Sequence, residues 1–236
     1  MVLKNIKEYV NLKKRTLRYR VSQLPQAPKL AIVQVGNDPA SMRYVRNKIK
    51  DCKEVGIDGD VYAYPENMTE LELDDELNHL QEFYDGVIVQ LPLPPHIRSS
   101  IATAAILPEK DVDGFNEKNV GALCVGSKGY VSCTPLGIIQ LLKRSGIEIA
   151  GKHCVVIGRS NIVGKPMSLL LLRENGTVTV CHSRTKDIRE ITKQADILVV
   201  AIGKPEFVDE SYVKDGAVVI DVGIHRGENN KLCGDV

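Results

Sequence analysis

Short apolar runs alternate with longer amphipathic stretches along most of this chain. In the first half the apolar runs are KLAIVQV (29–35), VYAY (61–64) and DGVIVQ (85–90), and turn residues flank them. Amphipathic stretches separate them: one follows GNDPAS and stops near Val55, and the other is the acidic TELELDDELNHL. Short apolar runs predict buried strands, and strands that alternate with helices predict a parallel sheet.

The N-terminal residues 2–22 form a different pattern, in which apolar side chains recur at helical intervals among basic ones. These positions are Leu3, Ile6, Val10, Leu17 and Val21. The pattern predicts an amphipathic helix that covers a sheet.

The second half repeats the alternation after a loop-rich stretch at 108–133. CTPLGIIQLLKRSG, with Pro135 in its first turn, predicts a helix that links the halves, and two more helices are expected at 164–175 and near 186–194. Four apolar runs predict strands: HCVVI (153–157), TVTVC (177–181), DILVVAI (196–202) and AVVIDVG (217–223). We therefore expect two α/β domains, at residues 1–132 and 133–236.

Composition narrows the class of partner. The 236 residues carry 31 basic and 30 acidic side chains, so a formal charge of +1 favours neither nucleic acid nor a membrane surface and leaves a small molecule as the expected partner. Six cysteines without a C-x-x-C pair indicate reduced thiols, and five histidines without ligand spacing indicate no metal site. No apolar signal segment or membrane span is evident, so we expect a cytoplasmic protein.

Tyr44 and Lys48 are the first candidate for chemistry. Their i, i+4 spacing places a phenol and an ammonium on one face of the predicted helix. A lysine can exchange protons near neutral pH only when its surroundings lower its pKa. The pair alone is more typical of a solvated helix that bears a half-buried tyrosine.

VVIGRSNIVGKP is the second candidate. Gly158 directly follows an apolar strand and Gly164 begins a helix, which is the context of a dinucleotide-binding turn. Ser160 stands where the usual fingerprint has its second glycine, so the pyrophosphate must be approached differently, although the amides of the helix N-terminus can still bind phosphate. The alternative is an ordinary strand-to-helix turn.

The choice of dinucleotide depends on the end of the next strand, where NAD enzymes place an acid that binds the ribose 2′-hydroxyl. Here Cys181 is followed by HSRTK, and no carboxylate occurs before Asp187. Arg159, Ser183 and Arg184 could instead bind a 2′-phosphate, which favours NADP. These arginines could also belong to a solvated loop.

Tyr-x-x-x-Lys also occurs in short-chain dehydrogenases, but the order of motifs excludes that family. There the glycine-rich turn comes first, whereas here Tyr44 precedes the turn at Gly158 by more than a hundred residues. A separate catalytic domain before the cofactor domain is needed.

Five strings, taken together, identify a family: ASMRYVRNKIK, VIVQLPLP (87–94), PEKDVDGF (108–115), SCTPLGI and GRSNIVGKPM (158–167). In this order and spacing they resemble the bifunctional methylenetetrahydrofolate dehydrogenase/cyclohydrolase family over nearly the whole chain. The resemblance implies an N-terminal α/β catalytic domain and a Rossmann-like NADP-binding domain. It implies oxidation of 5,10-methylenetetrahydrofolate by NADP and hydrolysis of the methenyl product to 10-formyltetrahydrofolate, within one-carbon metabolism and purine biosynthesis.

The resemblance also implies roles for individual residues. Lys48 is expected to carry the proton, Tyr44 to contact the folate, Gln90 to position and tune the lysine, and Asp113 to hold the pterin. Asp111 is the neighbouring candidate, and for it a structural role is expected. Val89 and Leu91, which flank Gln90, are expected to line the substrate site.

The resemblance also implies that five residues bind the cofactor and that the protein assembles in one particular way. Gly158, Arg159 and Ser160 are expected at the cofactor, with Ser183 near the 2′-phosphate and Ile224 near the nicotinamide. A homodimer formed through the cofactor domain is also implied.

The chain departs from the family pattern at its two ends. It begins MVLKNIKEYV, where the family has a segment with an Asp-Gly-Lys motif, and after GDV at Val236 it does not continue into the family's proline- and glycine-rich loop and final helix. That loop walls the folate pocket in the family. The alternative hypothesis is therefore a catalytically impaired remnant that still binds NADP.

Overall fold

The computed structural model describes residues 6–226 and 231–236, and it divides into two compact units. The units are Met1–Gly121 and Ala122–Val236. The N-terminal unit contains a parallel sheet of order β2-β1-β3, formed by β1 (Lys29–Val35), β2 (Asp58–Tyr64) and β3 (Gly86–Val89). Its helices are α1 (Ile6–Ser22), α2 (Pro39–Val55), α3 (Glu70–Phe83) and α4 (Ser99–Ala105), and α5 (Glu117–Val125) crosses the boundary between the units.

Alternation along the central strands divides the apolar side chains of this sheet between its two faces. Val33 and Val87 belong to the cluster that includes Leu73 and Leu77 of α3, whereas Ile32 and Ile88 pack with Val45 of α2, as the twofold period of a strand requires. The sheet is therefore covered on both faces.

Local signals fix both ends of α2. The Asp38 side chain accepts a hydrogen bond from the Ser41 amide at 2.7 Å, and Pro39 occupies the first turn, where its missing N–H costs nothing. At the other end Gly56 adopts a left-handed conformation with φ 86°, which a side chain would disfavour. These caps determine where along the helix Tyr44 and Lys48 fall.

The C-terminal unit has a parallel sheet of order β5-β4-β6-β7. Its strands are β4 (His153–Ile157), β5 (Thr177–Cys181), β6 (Ile197–Val200) and β7 (Val218–Asp221), and an antiparallel pair β8 (His225–Arg226) and β9 (Leu232–Cys233) follows. The helices are α6 (Cys133–Arg144), α7 (Gly164–Arg173) and α8 (Ile188–Thr192), with a 3₁₀ turn at Glu210–Tyr212. The strand order changes direction between β4 and β6, and such a switch point is where open α/β sheets bind ligands. The prediction of a two-unit α/β fold with parallel sheets is confirmed.

Several predicted elements differ from the structure in detail. The N-terminal helix was expected to cover a sheet, but no residue of α1 is buried, and Ile6 and Val10 remain 49% and 42% exposed. The helix packs on α2 instead. Leu3 lies outside the described residues. β2 begins three residues earlier than the run VYAY, because its whole length pairs with β1.

The stretch 108–133, expected to be loop, contains α5. Asn116 stands at the N-terminus of this helix, and its side-chain oxygen accepts a hydrogen bond from the Lys118 amide at 2.9 Å. Leu123 of α5 is buried in the core of the C-terminal unit. Among the described residues, no helix combines the length and apolar character needed to cross a membrane.

Candidate active site

Asp113 lies beside β3 because the segment before it runs along that strand. Val87 donates a hydrogen bond to the carbonyl of Lys110 at 2.9 Å, and Val87 and Asp111 pair in parallel register. Two residues further on, Asp113 lies in a turn, which the Gly114 amide closes by donating a hydrogen bond to the Asp111 carbonyl at 3.1 Å.

The structure brings Lys48 and Asp113 together. Lys48 Nζ lies 3.7 Å from Asp113 Oδ2, and the two side chains are 33% and 18% exposed. Tyr44, one turn earlier on α2, is about half exposed. A lysine and an aspartate side chain therefore meet, with an accessible tyrosine on the same helix as the lysine.

The charge state of Asp113 reflects its surroundings. Burial raises the pKa of Asp113 above its ordinary value, the nearby positive charge of Lys48 opposes this rise, and the negative charge of Asp111 adds to it. Burial dominates, so the carboxyl group holds its proton to a higher pH than a carboxyl group in water.

Gln90 has one satisfied and one unsatisfied polar atom. Its backbone N–H donates a hydrogen bond to the Val33 carbonyl at 2.8 Å, which extends the pairing of β1 and β3. Its Nε2 donates a hydrogen bond to the Leu91 carbonyl at 2.9 Å. Its Oε1 is buried and has no hydrogen-bond partner in the described part of the chain. This oxygen can therefore accept a hydrogen bond from a donor that enters the site. Since Asp113 makes the ion pair with Lys48, the role of Gln90 toward Lys48 stays a prediction.

Val89 and Leu91 flank Gln90 in different environments. Val89 is buried in the sheet core, with 3% of its surface exposed, and Leu91 is partly buried against the same core. The carbonyl of Leu91 also accepts a hydrogen bond from the Ser41 hydroxyl at 3.4 Å. This contact connects the start of α2 to the loop after β3.

Gly158 and Gly164 permit a close approach of backbone in the second unit. Gly158 has φ 128°, and a Cβ atom there would lie 2.3 Å from the Ala201 carbonyl oxygen at the end of β6. A Cβ on Gly164 would lie 2.3 Å from the Gly158 carbonyl oxygen. Only glycine fits at either position, as a tight strand-to-helix turn at a dinucleotide site requires.

Ser160 caps the helix that follows this turn. Its hydroxyl oxygen accepts hydrogen bonds from the amides of Val163 at 3.1 Å and Gly164 at 3.2 Å. The serine in the place of the second fingerprint glycine therefore orders the N-terminus of α7, where anions bind.

A pocket of about 280 Å³ opens at the switch point between β4 and β6. Four predicted cofactor residues line it, namely Gly158, Arg159, Ser160 and Ser183. Gly164 and Ile224 are not among its lining residues; Gly164 is buried behind the turn, and Ile224 is 64% exposed.

Sequence reasoning missed further residues of this pocket. His182, Ile188, Lys204 and Phe207 also line it. Lys204 could have been found, because IGKP follows an apolar strand in the same way as the turn after β4 does. Two cationic side chains, Arg159 and Lys204, line the pocket, and among the described residues no carboxylate does. The close glycine turn, the capped helix and this charge fit a phosphorylated dinucleotide.

No group of three histidine, cysteine, aspartate or glutamate side chains suited to a metal ion occurs within the described ranges.

Two family models match the two halves of the chain. Residues 2–113 match the catalytic domain of tetrahydrofolate dehydrogenase/cyclohydrolase, and residues 132–236 match the NAD(P)-binding domain of the same family. The chain belongs to this family.

Relatives and solved structures in the tetrahydrofolate dehydrogenase/cyclohydrolase family extend over most of the chain. The bifunctional protein FolD of Lachnoclostridium phytofermentans is 62% identical over 228 residues, which are 94% of this chain and 81% of that protein. The FolD methylenetetrahydrofolate dehydrogenase/cyclohydrolase of Campylobacter jejuni superposes with a TM-score of 0.93 at 42% identity, covering 99% of this chain and 84% of that one. The Trypanosoma brucei FolD, solved with NADP cofactor and inhibitor, superposes with a TM-score of 0.91 at 36% identity, covering 97% of this chain and 83% of that one.

Proposed function

We propose that this chain oxidises 5,10-methylenetetrahydrofolate with NADP and hydrolyses the resulting 5,10-methenyltetrahydrofolate to 10-formyltetrahydrofolate. Membership of the bifunctional family supports both activities. The observation that carries the proposal is the pairing of Lys48 with Asp113, which follows the residue that pairs with β3.

The oxidation removes a hydride from the methylene carbon between the two folate nitrogens. NADP, when bound, supplies the hydride acceptor. The residues that would hold it are those of the pocket after β4: the amides of the turn at Gly158, the helix N-terminus capped by Ser160, and the side chains of Arg159, Ser183 and Lys204. The preference for NADP over NAD rests on the cationic side chains of Arg159 and Lys204 and on the lack of a carboxylate among the described residues that line this pocket.

The hydrolysis needs a proton carrier. Water attacks the methenyl carbon and must lose a proton, and nitrogen must gain one when the ring bond opens. Lys48 is the assigned carrier, because its amine lies 3.7 Å from Asp113 and keeps a third of its surface open to an arriving molecule. Asp113 holds the pterin, whose neighbouring N–H groups a carboxylate accepts in bidentate fashion.

The remaining substrate contacts surround this pair. The exposed phenol of Tyr44 stacks on or hydrogen-bonds the folate, and the unpaired Oε1 of Gln90 accepts a donor from the substrate or from Lys48 once the site is filled. Val89 and Leu91 set the depth of the site through the backbone of β3 and the loop after it.

The cellular setting is part of the proposal. We infer a cytoplasmic enzyme of one-carbon metabolism that supplies formyl groups for purine biosynthesis. We also infer that the protein forms a homodimer through its C-terminal unit. We place the domain boundary at 132/133, next to residue 132, where the second family match begins. Sedimentation equilibrium of the purified chain would test the dimer, and a monomer at micromolar concentration would contradict it.

The activity is tested by recording absorbance at the NADPH band and at the methenyl band, with methylenetetrahydrofolate and NADP supplied. NADP reduction is expected, with the methenyl signal appearing and then decaying as water adds. NADP binding by calorimetry without any reduction would contradict the proposal and favour the impaired NADP-binding alternative.

A further inference from the structure

Asp111 is a buried carboxylate two residues before the proposed pterin ligand. Only 2% of its surface is exposed. Its Oδ2 accepts hydrogen bonds from the amide of Asn116 at 2.8 Å and from Nδ2 of Asn119 at 2.9 Å. Both donors are themselves buried, so this carboxylate belongs to a closed polar cluster and does not face solvent.

The two asparagines connect Asp111 to the chain on either side of it. Nδ2 of Asn116 donates to the carbonyl of Ile106 at 2.8 Å, and Nδ2 of Asn119 donates to the carbonyl of Pro108 at 2.8 Å. The cluster therefore ties the start of α5 to the segment that leads into Asp111. Buried networks in which several groups share donors hold a single geometry.

This cluster determines where Asp113 lies. The backbone of Asp111 pairs with Val87 of β3, and its carbonyl accepts a hydrogen bond from the amide of Gly114 at 3.1 Å, which closes a turn around Asp113. One side of the turn is fixed to the sheet and the other side to α5. The Asp113 carboxylate at the tip meets Lys48.

We propose that Asp111 is a positioning residue for the folate reaction, which through Asn116 and Asn119 fixes the turn 111–114 and so holds the Asp113 carboxylate beside Lys48. The inference rests on the proposed function, since it assigns Asp111 to the same site. Asp111 touches neither substrate nor cofactor in this account.

Charge gives independent support. The charged groups that act on Asp113 are Lys48 from α2 and Asp111 from its own turn, and the negative charge of Asp111 raises the pKa of Asp113. Asp111 therefore affects both the place and the protonation of the carboxyl group that it positions.

The test compares variants that remove the hydrogen bonds with one that keeps them. Asp111→Ala and Asn119→Ala each delete one side of the cluster, whereas Asp111→Asn retains a carbonyl oxygen as acceptor and removes only the charge. Asp85→Ala is the control, because Asp85 accepts a hydrogen bond from the Lys29 amide at the start of the sheet and takes no part in the hydrogen bonds of the cluster. For each variant, kcat and KM of methenyltetrahydrofolate hydrolysis are measured per folded molecule, and the titration of the Asp113 carboxyl group is followed by ¹³C NMR in the free protein.

In both alanine variants of the cluster, kcat/KM is expected to fall about tenfold or more, because small displacements of a reacting group are costly. Asp111→Asn should stay within about threefold of the parent, with the Asp113 titration moved to lower pH, and Asp85→Ala should change neither quantity. If Asp111→Ala and Asn119→Ala keep the parental kcat/KM, the proposal is overturned. A parent without turnover would count against the proposed function. In that case the Asp113 titration in Asn119→Ala, which keeps the charge of Asp111 and loses a hydrogen bond of the cluster, still tests the positioning role, and an unmoved titration there would overturn it.

Discussion

Gly158→Ala should disrupt the cofactor unit far more than an alanine at another glycine of positive φ. The new Cβ would lie 2.3 Å from the Ala201 carbonyl oxygen, so the ends of β4 and β6 must separate by about 1 Å to reach an ordinary contact. The backbone at φ 128° adds strain of about 1–3 kcal/mol, and overpacking adds a similar amount. We expect a loss of about 2–6 kcal/mol.

Gly216→Ala is the matched control. Gly216 has φ 80°, and a Cβ there would meet no atom within 4 Å, so only the left-handed backbone is penalised, by about 1–2 kcal/mol. Because about 1 kcal/mol shifts the Tm of a chain this long by about 2–4 °C, scanning calorimetry separates the two variants.

Calorimetric titration with NADP gives the functional half of the experiment. Gly158 lines the pocket, so Gly158→Ala should weaken NADP binding about tenfold or more, while Gly216→Ala should bind like the parent. If Gly158→Ala melts within 2 °C of Gly216→Ala and binds NADP with the parental Kd, the close approach of β4 and β6 cannot be what shapes the site.

Two further predictions concern charge in the C-terminal unit. Arg159→Ala should raise the Kd for NADP about tenfold and leave the Kd for NAD unchanged, because a cation at the 2′-phosphate is lost. Arg173→Ala, at an exposed arginine outside the pocket, is the control. Equal affinity of the parent protein for NAD and NADP would contradict this prediction. Burial would raise the pKa of Asp235, but hydrogen bonds from three backbone amides and His225 lower it below the ordinary 3.8. The contribution of Asp235 to stability should thus be present above about pH 4 and lost as the pH falls through the lowered pKa. Asp235→Asn should therefore flatten the acid limb of a Tm–pH curve. An unchanged acid limb would contradict the stabilising role of the Asp235 carboxylate.

The order of strands and helices could be predicted because it depends on local signals. A run such as KLAIVQV is buried on both faces of a parallel sheet, and caps such as Asp38 and Gly56 mark where a helix begins and ends. The environment of α1 could not be predicted in the same way. Periodicity shows which face of a helix is apolar, but it does not show what covers that face.

Helix α5 was missed because its signal is weak. It is short, its amphipathic character is slight, and the cap at Asn116 precedes three polar residues and a helix interior that contains Gly121. Its position nevertheless matters, because Asn116 and Asn119 hold the carboxylate of Asp111.

The sequence proposes residues for the candidate site, but it does not predict which of them meet. Lys48 and Asp113 come together through the register of a segment along β3, which no local pattern reveals. For the same reason the partner of Lys48 is an aspartate in the structure, while Gln90 keeps an open acceptor. Long-range pairing decides such contacts, and one sequence contains little information about it.

Hydrolysis of methenyltetrahydrofolate by Lys48→Met tests the central claim most directly. Methionine keeps the length of the side chain and removes the amine, and loss of a general acid–base group typically costs about 10²–10⁴ in rate. The account predicts that decay of the methenyl band in Lys48→Met falls to the uncatalysed rate, while NADP affinity is retained. Decay at the parental rate would contradict the assignment of Lys48 as the proton carrier.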